Sequence, residues 1–381
     1  MNPISLSDAQ DTGKLLQTAL ESAFNEVLQS GDFINGAPVK TFAKALGNLV
    51  RVPEVITCGN GTDALQIALM ALDLPPGSEV ILPAFNYVSA LEVVVLLGFV
   101  PVLADVLPDT FSLEPNSVKA RFTAKTRAII AVHLFGQCAG LGFLSEFCRQ
   151  HQLYLIEDNA QSLGAQCLSS EGKSAYAGTV GHIGTTSFFP TKMLGALGDG
   201  GAIFTRDQKL ATSMRQITRH GQSQKYTYAR VGVNSRLDTL QAAFLLVKLN
   251  FLNFYISQRQ AIAQQYDQLL QNNTFIQVPA RSLESTHVFN QYVIQVPAGY
   301  RDSLRHYLHE QQIPTAVYYP SPLHTQPAYQ HLGYQTGDFP VAEAICPKVI
   351  ALPMHPALTL DQVQYITFHI LKFFKNQTSF T

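Results

Sequence analysis

From about residue 40 to residue 205 the chain alternates between two hydrophobic periods. The stretches "VKTFAKALGNLV", "TDALQIALMAL", "SALEVVVLLGF" and "LSEFCRQHQ" space their apolar residues three and four apart and read as helices. Between them lie short apolar runs: "EVITC", "SEVILPAF", "VPVLADV", "RAIIAVHLF" and "LYLIEDNA", followed by "GTTSFFPT" and "GGAIFT". Runs of this length without polar alternation read as strands buried on both faces. Strands alternating with helices predict an α/β fold with a mostly parallel central sheet and helices on both faces. Ligands on such sheets bind beyond the carboxyl ends of the strands, so the loops there are the places to look for chemistry.

After about residue 236 the pattern changes. "LDTLQAAFLLVKLNFLNFYISQRQAIAQQYDQLLQ" predicts one long helical segment, straight or bent, connecting two domains. From about residue 275 the strand runs "HVFNQYVIQV" and "PTAVYYP" and the helical runs "RDSLRHYLHEQ" and "LDQVQYITFHILKFF" predict a smaller α+β unit. We therefore expect a large α/β domain over residues 1–250 and a small C-terminal α+β domain over residues 251–381.

Composition narrows the picture. Hydrophobic residues make up 46% and charged residues 14%, which suggests surface buried against a partner subunit. Lys plus Arg (26) and Asp plus Glu (27) nearly cancel, so there is no general field for nucleic acid or an anionic membrane, and phosphate recognition must be local. Cys58, Cys138, Cys148, Cys167 and Cys346 are odd in number and lack C-x-x-C spacing, which points to reduced thiols in the cytoplasm rather than disulfides or a metal site. The opening "MNPISLSDAQDTGK" has neither a basic nor an apolar leader region, so no signal peptide is expected. The run "LEVVVLLGFVPVLA" is interrupted by Glu92, Gly98 and Pro101 and is too short to span a bilayer.

Three constellations carry candidate chemistry. "CGNGTDALQIAL" is a glycine-containing turn opening an apolar helix, whose free N–H groups and partial positive charge suit a phosphate. Gly61 permits close approach and Thr62 can cap the helix and donate a hydroxyl; a plain capped helix gives the same pattern. "LYLIEDNAQSLGA" is an apolar strand ending in Glu157 and Asp158, either a solvated strand end or a carboxylate aimed into a pocket. "SFFPTK" places Lys192 among Phe188, Phe189, Met193 and Leu194, where desolvation would disfavour the ammonium form and make the amine a nucleophile or base. A snorkelling surface lysine is the alternative. Together the three match what pyridoxal 5'-phosphate requires: an amine for its aldehyde, an acid for its ring nitrogen and a cradle for its phosphate.

In this respect the chain resembles the DegT/DnrJ/EryC1/StrS aminotransferases, nucleotide-sugar transaminases of fold type I (aspartate aminotransferase-like). The resemblance runs in order through "GDFINGAPVKTFAKAL", "GNGTDALQIALMAL", "VILPAFNYVSALEVVVLLG", "AVHLFGQ", "IEDNAQSLGA", "SFFPTKMLGALGDGGA", "RHGQ", "GVNSRLDTLQAAFL", "YYPSPLHTQPAY" and "LPMHP". It implies that Lys192 binds the cofactor covalently and then moves the proton, that Asp158 pairs with the pyridine nitrogen, and that Gln161 bonds the ring hydroxyl. It further implies that Tyr87 stacks on the ring, and that Gly61, Thr62 and Ser187 hold the phosphate, joined by Asn234 from the neighbouring subunit of a homodimer with shared active sites. Phe33, Tyr318 and Tyr319 lie in segments the family uses around the sugar; Arg236 and His324 are candidates for an anionic group, and His220 for ordering a loop over the cofactor. For Arg236 an ion pair with Asp238 reads equally well.

Within the family, "TSFFPTKMLGALGDGGAIFT", "VGVNSRLDTLQAA" and "PTAVYYPSPL" look closest to transaminases acting at sugar C-3. The nearest type uses L-glutamate to aminate UDP-2-acetamido-2-deoxy-3-oxo-glucuronate in O-antigen assembly. Sister enzymes act on dTDP-3-oxo-6-deoxyhexoses or at C-4. Sugar dehydratases of the same fold carry histidine where this chain has Lys192, and regulators usually append a DNA-binding module for which the family blocks leave no room.

Overall fold

The seven apolar runs form the strands of one sheet in the computed structural model, which describes residues 3–7, 16–138, 140–168 and 172–378. The stretch read as lacking a leader lies mostly outside these residues. In chain order the strands are β1 (Glu54–Cys58), β2 (Glu79–Pro83), β3 (Val100–Ala104), β4 (Thr126–Val132) and β5 (Tyr154–Asp158). A small hairpin, β6 (Gln166–Leu168) and β7 (Ser174–Tyr176), precedes β8 (Ile183–Ser187) and β9 (Gly201–Thr205). Across the sheet the order is β1-β9-β8-β5-β4-β2-β3. Every neighbouring pair is parallel except those made by β9, which runs against both β8 and β1.

Burial on both faces explains why the strands read as unbroken apolar runs. Val80, Leu82, Ile130 and Ile203 join one buried cluster, while their chain neighbours Ile81, Ile129, Ala131, Ala202 and Phe204 join another. Successive side chains leave a strand on opposite faces, so one apolar run fills two cores. The expected helices cover these faces at Ala37–Val50, Gly61–Ala71, Ser89–Leu96 and Leu141–His151. The helices Gln17–Ser30, Pro115–Arg121 and Gln208–Ile217 did not emerge from the pattern.

The long connector is two helices, Thr239–Leu249 and Leu252–Leu270, which meet at 60°. Among the described residues no single helix is long and apolar enough to cross a membrane; the bent pair passes only by joint length and composition, and its Ala242, Leu245, Leu252 and Ala263 are buried in the protein. A short hairpin, β10 (Gln222–Gln224) with β11 (Thr227–Tyr228), projects before it. Beyond it, β12 (Tyr292–Gln295) pairs with β13 (Val349–Leu352), and the helices Arg301–Glu310 and Leu360–Thr378 pack around a third buried cluster, drawn mostly from residues 262–374. The expected strand in "PTAVYYP" is reduced to one bridge, Ala316 to Ala351. The chain then turns away from β13 and carries Tyr318 and Tyr319 toward the sheet's carboxyl end.

His287 marks where the later chain meets the loop after β4. Its Nδ1 accepts the Phe289 N–H (3.0 Å) and its ring stacks on Phe289 at 3.9 Å. Burial, with the nearby Arg281 cation, pushes the imidazole well below its ordinary range, so it is neutral when folded and takes up a proton when unfolded. The unfolded chain then binds more protons below about pH 6.5, and stability falls as the pH drops. Between pH 7.5 and 5.5 the wild type is expected to lose about 1.4 kcal/mol relative to His287→Gln, the free energy of taking up one proton about one unit below the unfolded pKa. Urea unfolding of both proteins at the two pH values checks this; a constant difference between them would exclude it.

Candidate active site

Beyond the carboxyl ends of β5 and β8 lies a cavity of about 440 Å³. Its walls include Gly61, Thr62, Tyr87, Asp158, Gln161, Ser187, Lys192, Tyr318 and Tyr319. The fold thus brings together residues spread over most of the chain.

The two carboxylates at the end of β5 separate by strand alternation. Glu157 is fully buried and accepts the N–H groups of Gly178 (2.8 Å), Val180 (2.7 Å) and Gly181 (2.6 Å), with His133 Nε2 at 2.7 Å. Asp158 turns toward the cavity, where its Oδ1 accepts the Ala160 N–H at 3.1 Å. Burial raises the Asp158 carboxyl above its usual range, against the Ala160 N–H and the charges of Lys192 and His133.

Lys192 sits on the turn between β8 and β9. Phe188 fixes that turn: its ring is fully buried, edge-on to Phe42 at 5.3 Å, and its N–H donates to the Gly200 carbonyl at 2.7 Å. Burying such a ring contributes about 2–3 kcal/mol. Met193 and Leu194 are buried as well, whereas Phe189 is half exposed beside the cavity. Burial lowers the Lys192 ammonium below its ordinary value, and Asp158 opposes that shift. From behind, Lys248 Nζ donates to the Gly195 carbonyl (2.7 Å) and the Leu197 N–H donates to Gln241 Oε1 (2.9 Å). These two supports were missed in the sequence, where they are ordinary polar residues of an apolar helix.

At the opposite wall the helix Gly61–Ala71 points its N-terminus into the cavity. Its cap is Asn60, not Thr62: Asn60 Oδ1 accepts the Asp63 N–H at 2.8 Å, and Thr62 lies inside the first turn. Asn-x-x-Asp places the side-chain acceptor three residues before the amide it satisfies, as a cap requires. The Gly61 and Thr62 amides find no acceptor among the described residues. A Cβ on Gly61 would stand 2.7 Å from Ser187 Cβ, so only glycine lets β8 and the helix start converge here. Gln161 Oε1 accepts the Phe135 N–H (2.6 Å) and Gln161 Nε2 donates to Tyr319 Oη (3.3 Å). Tyr87 is 55% exposed, with its ring 6.2 Å from that of Tyr319.

These features fit pyridoxal phosphate. Open helix-start amides beside a glycine suit its phosphate. A buried carboxylate suits a ring nitrogen, and a partly desolvated amine in the same cavity suits an aldehyde.

Five further candidates do not line this cavity. Phe33 is exposed, and its carbonyl accepts the Thr239 N–H. His220 and Asn234 are exposed on neighbouring segments joined by a bridge between Arg219 and Asn234. Arg236 is half buried behind Gly59, and no ion pair joins it to Asp238 among the described residues. His324 departs from expectation most clearly. It is 2% exposed, with Nε2 3.1 Å from Glu343 Oε1 and its ring against Phe339 at 4.8 Å, a place that a solute does not reach.

The profile of the DegT/DnrJ/EryC1/StrS aminotransferase family matches residues 15–371. The chain is 41% identical to the UDP-2-acetamido-2-deoxy-3-oxo-D-glucuronate aminotransferase of Pseudomonas aeruginosa, over 95% of this chain and 98% of that one. It is 40% identical to the pleiotropic regulatory protein of Geobacillus stearothermophilus, over 98% and 99% of the two chains. Among solved structures, S. venezuelae DesV in complex with a ketimine intermediate superposes with a TM-score of 0.93 at 31% identity, covering 98% of this chain and 99% of that one.

Proposed function

The chain belongs to the DegT/DnrJ/EryC1/StrS aminotransferase family, pyridoxal-phosphate enzymes of fold type I, and from that premise we propose that it moves the amino group of L-glutamate to the 3-oxo carbon of a nucleotide-linked sugar, UDP-2-acetamido-2-deoxy-3-oxo-glucuronate. The observation that carries the reading is the convergence of Lys192, Asp158 and the open helix start at Gly61 on one cavity, in a chain so similar to an enzyme of that name.

When bound, the cofactor supplies an aldehyde and a conjugated ring that accepts the electron pair left as the amino carbon loses its proton. Lys192 Nζ would be the amine that holds the cofactor by its aldehyde and the base that holds and returns the proton, a role favoured by its partial desolvation. Asp158 keeps a negative charge at the ring nitrogen. The Gly61 and Thr62 amides and the Ser187 hydroxyl hold the phosphate and with it the register of the reacting atoms. Gln161, Tyr87 and Tyr319 orient the ring and exclude water, and Tyr318 faces the sugar. Asn234, exposed and away from its own cavity, is proposed to reach the phosphate of the neighbouring subunit in a homodimer, with His220, Arg236 and Phe33 at that shared edge. Five free, buried cysteines are consistent with work in the cytoplasm, on precursors of O-antigen or a related surface polysaccharide.

A second reading concerns the sugar. A 36% identical relative from Acidithiobacillus ferrooxidans is named a UDP-N-acetyl-3-dehydro-alpha-D-glucosamine 3-aminotransferase, and a 35% identical one from Aneurinibacillus thermoaerophilus is named a dTDP-3-amino-3,6-dideoxy-alpha-D-galactopyranose transaminase. The test is a panel of UDP- and dTDP-linked amino sugars run in reverse with 2-oxoglutarate and scored by glutamate formed. The UDP-3-amino-glucuronate is expected to give the highest kcat/KM. A dTDP-sugar or 4-amino sugar in that place would replace the substrate, and activity confined to free amino acid pairs would overturn the subclass. The forward reaction separates amination from dehydration, since only amination releases 2-oxoglutarate.

A further inference from the structure

Glu157 and His133 are the buried titratable pair that the mechanism above leaves unused. Both are sealed from solvent, and they meet at 2.7 Å. Glu157 also accepts three backbone N–H groups of the turn 178–181, so its negative charge is held by four donors. His133 directly follows β4, whose last residue, Val132, is in register with Asp158. The His133 N–H donates to the Asp158 carbonyl (3.0 Å), and the His133 carbonyl accepts from Ser162 Oγ (2.6 Å). The imidazole is thereby fixed beside the residue that faces the cofactor cavity. Three buried groups, Glu157, His133 and Asp158, lead from the turn 178–181 to the half-buried Lys192 at the cavity, acidic and basic side chains alternating.

We propose that His133, held as an imidazolium by Glu157, is a positioning residue that keeps the Asp158 carboxylate anionic and aimed into the cavity. Asp158 has one other nearby cation, Lys192, and that amine gives up its charge in reacting. His133 takes no part in the chemistry and keeps its charge throughout. Burial alone would drive its ring neutral, but the Glu157 hydrogen bond and the surrounding negative groups outweigh burial and raise it. Burial likewise raises Glu157, and the His133 bond and backbone amides bring it lower than usual. The groups facing the ring are Glu157 and Asp158 on β5 and Cys138 on its own loop, the last hydrogen-bonded to Ser285 and beside Cys167. The inference rests on Asp158 being the partner of the cofactor's ring nitrogen.

The test uses the full-length apoprotein titrated with pyridoxal phosphate and with its 1-deaza analogue, in which carbon replaces the ring nitrogen. The ratio of the two affinities reports the Asp158 contact and is indifferent to phosphate binding. His133→Asn is expected to reduce the preference for pyridoxal phosphate about tenfold. The sign follows from charge: removing a cation makes Asp158 easier to protonate, so the preference, lost as pH falls, is lost at a higher pH. A lone Glu157 could unfold the variant, so the double replacement His133→Gln with Glu157→Gln, which buries no unpaired charge, is measured alongside and should shift the same way. An unchanged ratio and pH profile in both, with Asp158→Asn abolishing the preference, would overturn the role of His133 while leaving that of Asp158 intact. A preference that survives Asp158→Asn would instead remove the reading on which the inference rests.

Discussion

Lys192→Ala is expected to abolish turnover, by four orders of magnitude or more, about the upper range attributed to positioned proton transfer alone. The side chain carries two duties, covalent attachment and proton movement, and the cavity offers no substitute: the other ionisable groups on its wall are Asp158, Asp199 and three tyrosines. Lys248 is fully engaged behind the loop at the Gly195 carbonyl, so it cannot swing in. The visible absorbance of the lysine-linked cofactor should vanish as well. Lys192→Arg should fail equally, because a guanidinium keeps its proton and is a poor nucleophile. Because Phe188, Met193 and Leu194 hold the loop, the alanine protein should still fold, so circular dichroism and size should be unchanged while activity is lost. Retained absorbance and turnover together would refute the assignment.

Asp158→Asn comes next in magnitude, with an expected loss of about 10²–10³ in kcat at saturating cofactor, the range seen when one preorganised electrostatic partner is removed. The replacement preserves shape and the bond from the Ala160 N–H, so what it deletes is charge. An amide cannot hold a proton on the ring nitrogen, and the electron sink weakens accordingly. The half-reaction with glutamate, followed at saturating cofactor, isolates this effect from cofactor loss. A rate within a few-fold of wild type would show that the carboxylate has another role. Glu157→Gln should behave differently: its partners are three amides and an imidazole, so it perturbs folding and Asp158 rather than contacting the cofactor.

The contrast between these neighbours shows what could be read from the chain. Both are acids at the end of one apolar run, and nothing local distinguishes them except which face each residue takes. The seven strands and four of their covering helices were legible because burial on two faces demands unbroken apolar runs and helical spacing. The helical pattern of the connector left open whether it is straight or bent, and the structure resolves it into two helices meeting at 60°. Thr62 offered both a cap and a hydroxyl donor; Asn60 caps instead, since the helix begins at Gly61 and its third amide belongs to Asp63. His324 was a candidate for meeting an anionic group of the sugar, but packing turned it against Phe339 and Glu343.

The sequence by itself determined the layered α/β class, the family and the chemical identity of the reacting groups, because each depends on residue type and spacing along the chain. Tertiary structure alone decided that Glu157 is sealed behind the sheet end by the amides of residues 178–181, that Gly61 and Ser187 approach too closely for any side chain between them, that Lys248 braces the lysine loop and that His133 stands beside Asp158. Those facts arise from contacts between residues far apart in sequence, and desolvation and charge pairing depend on distance in space rather than on order in the chain.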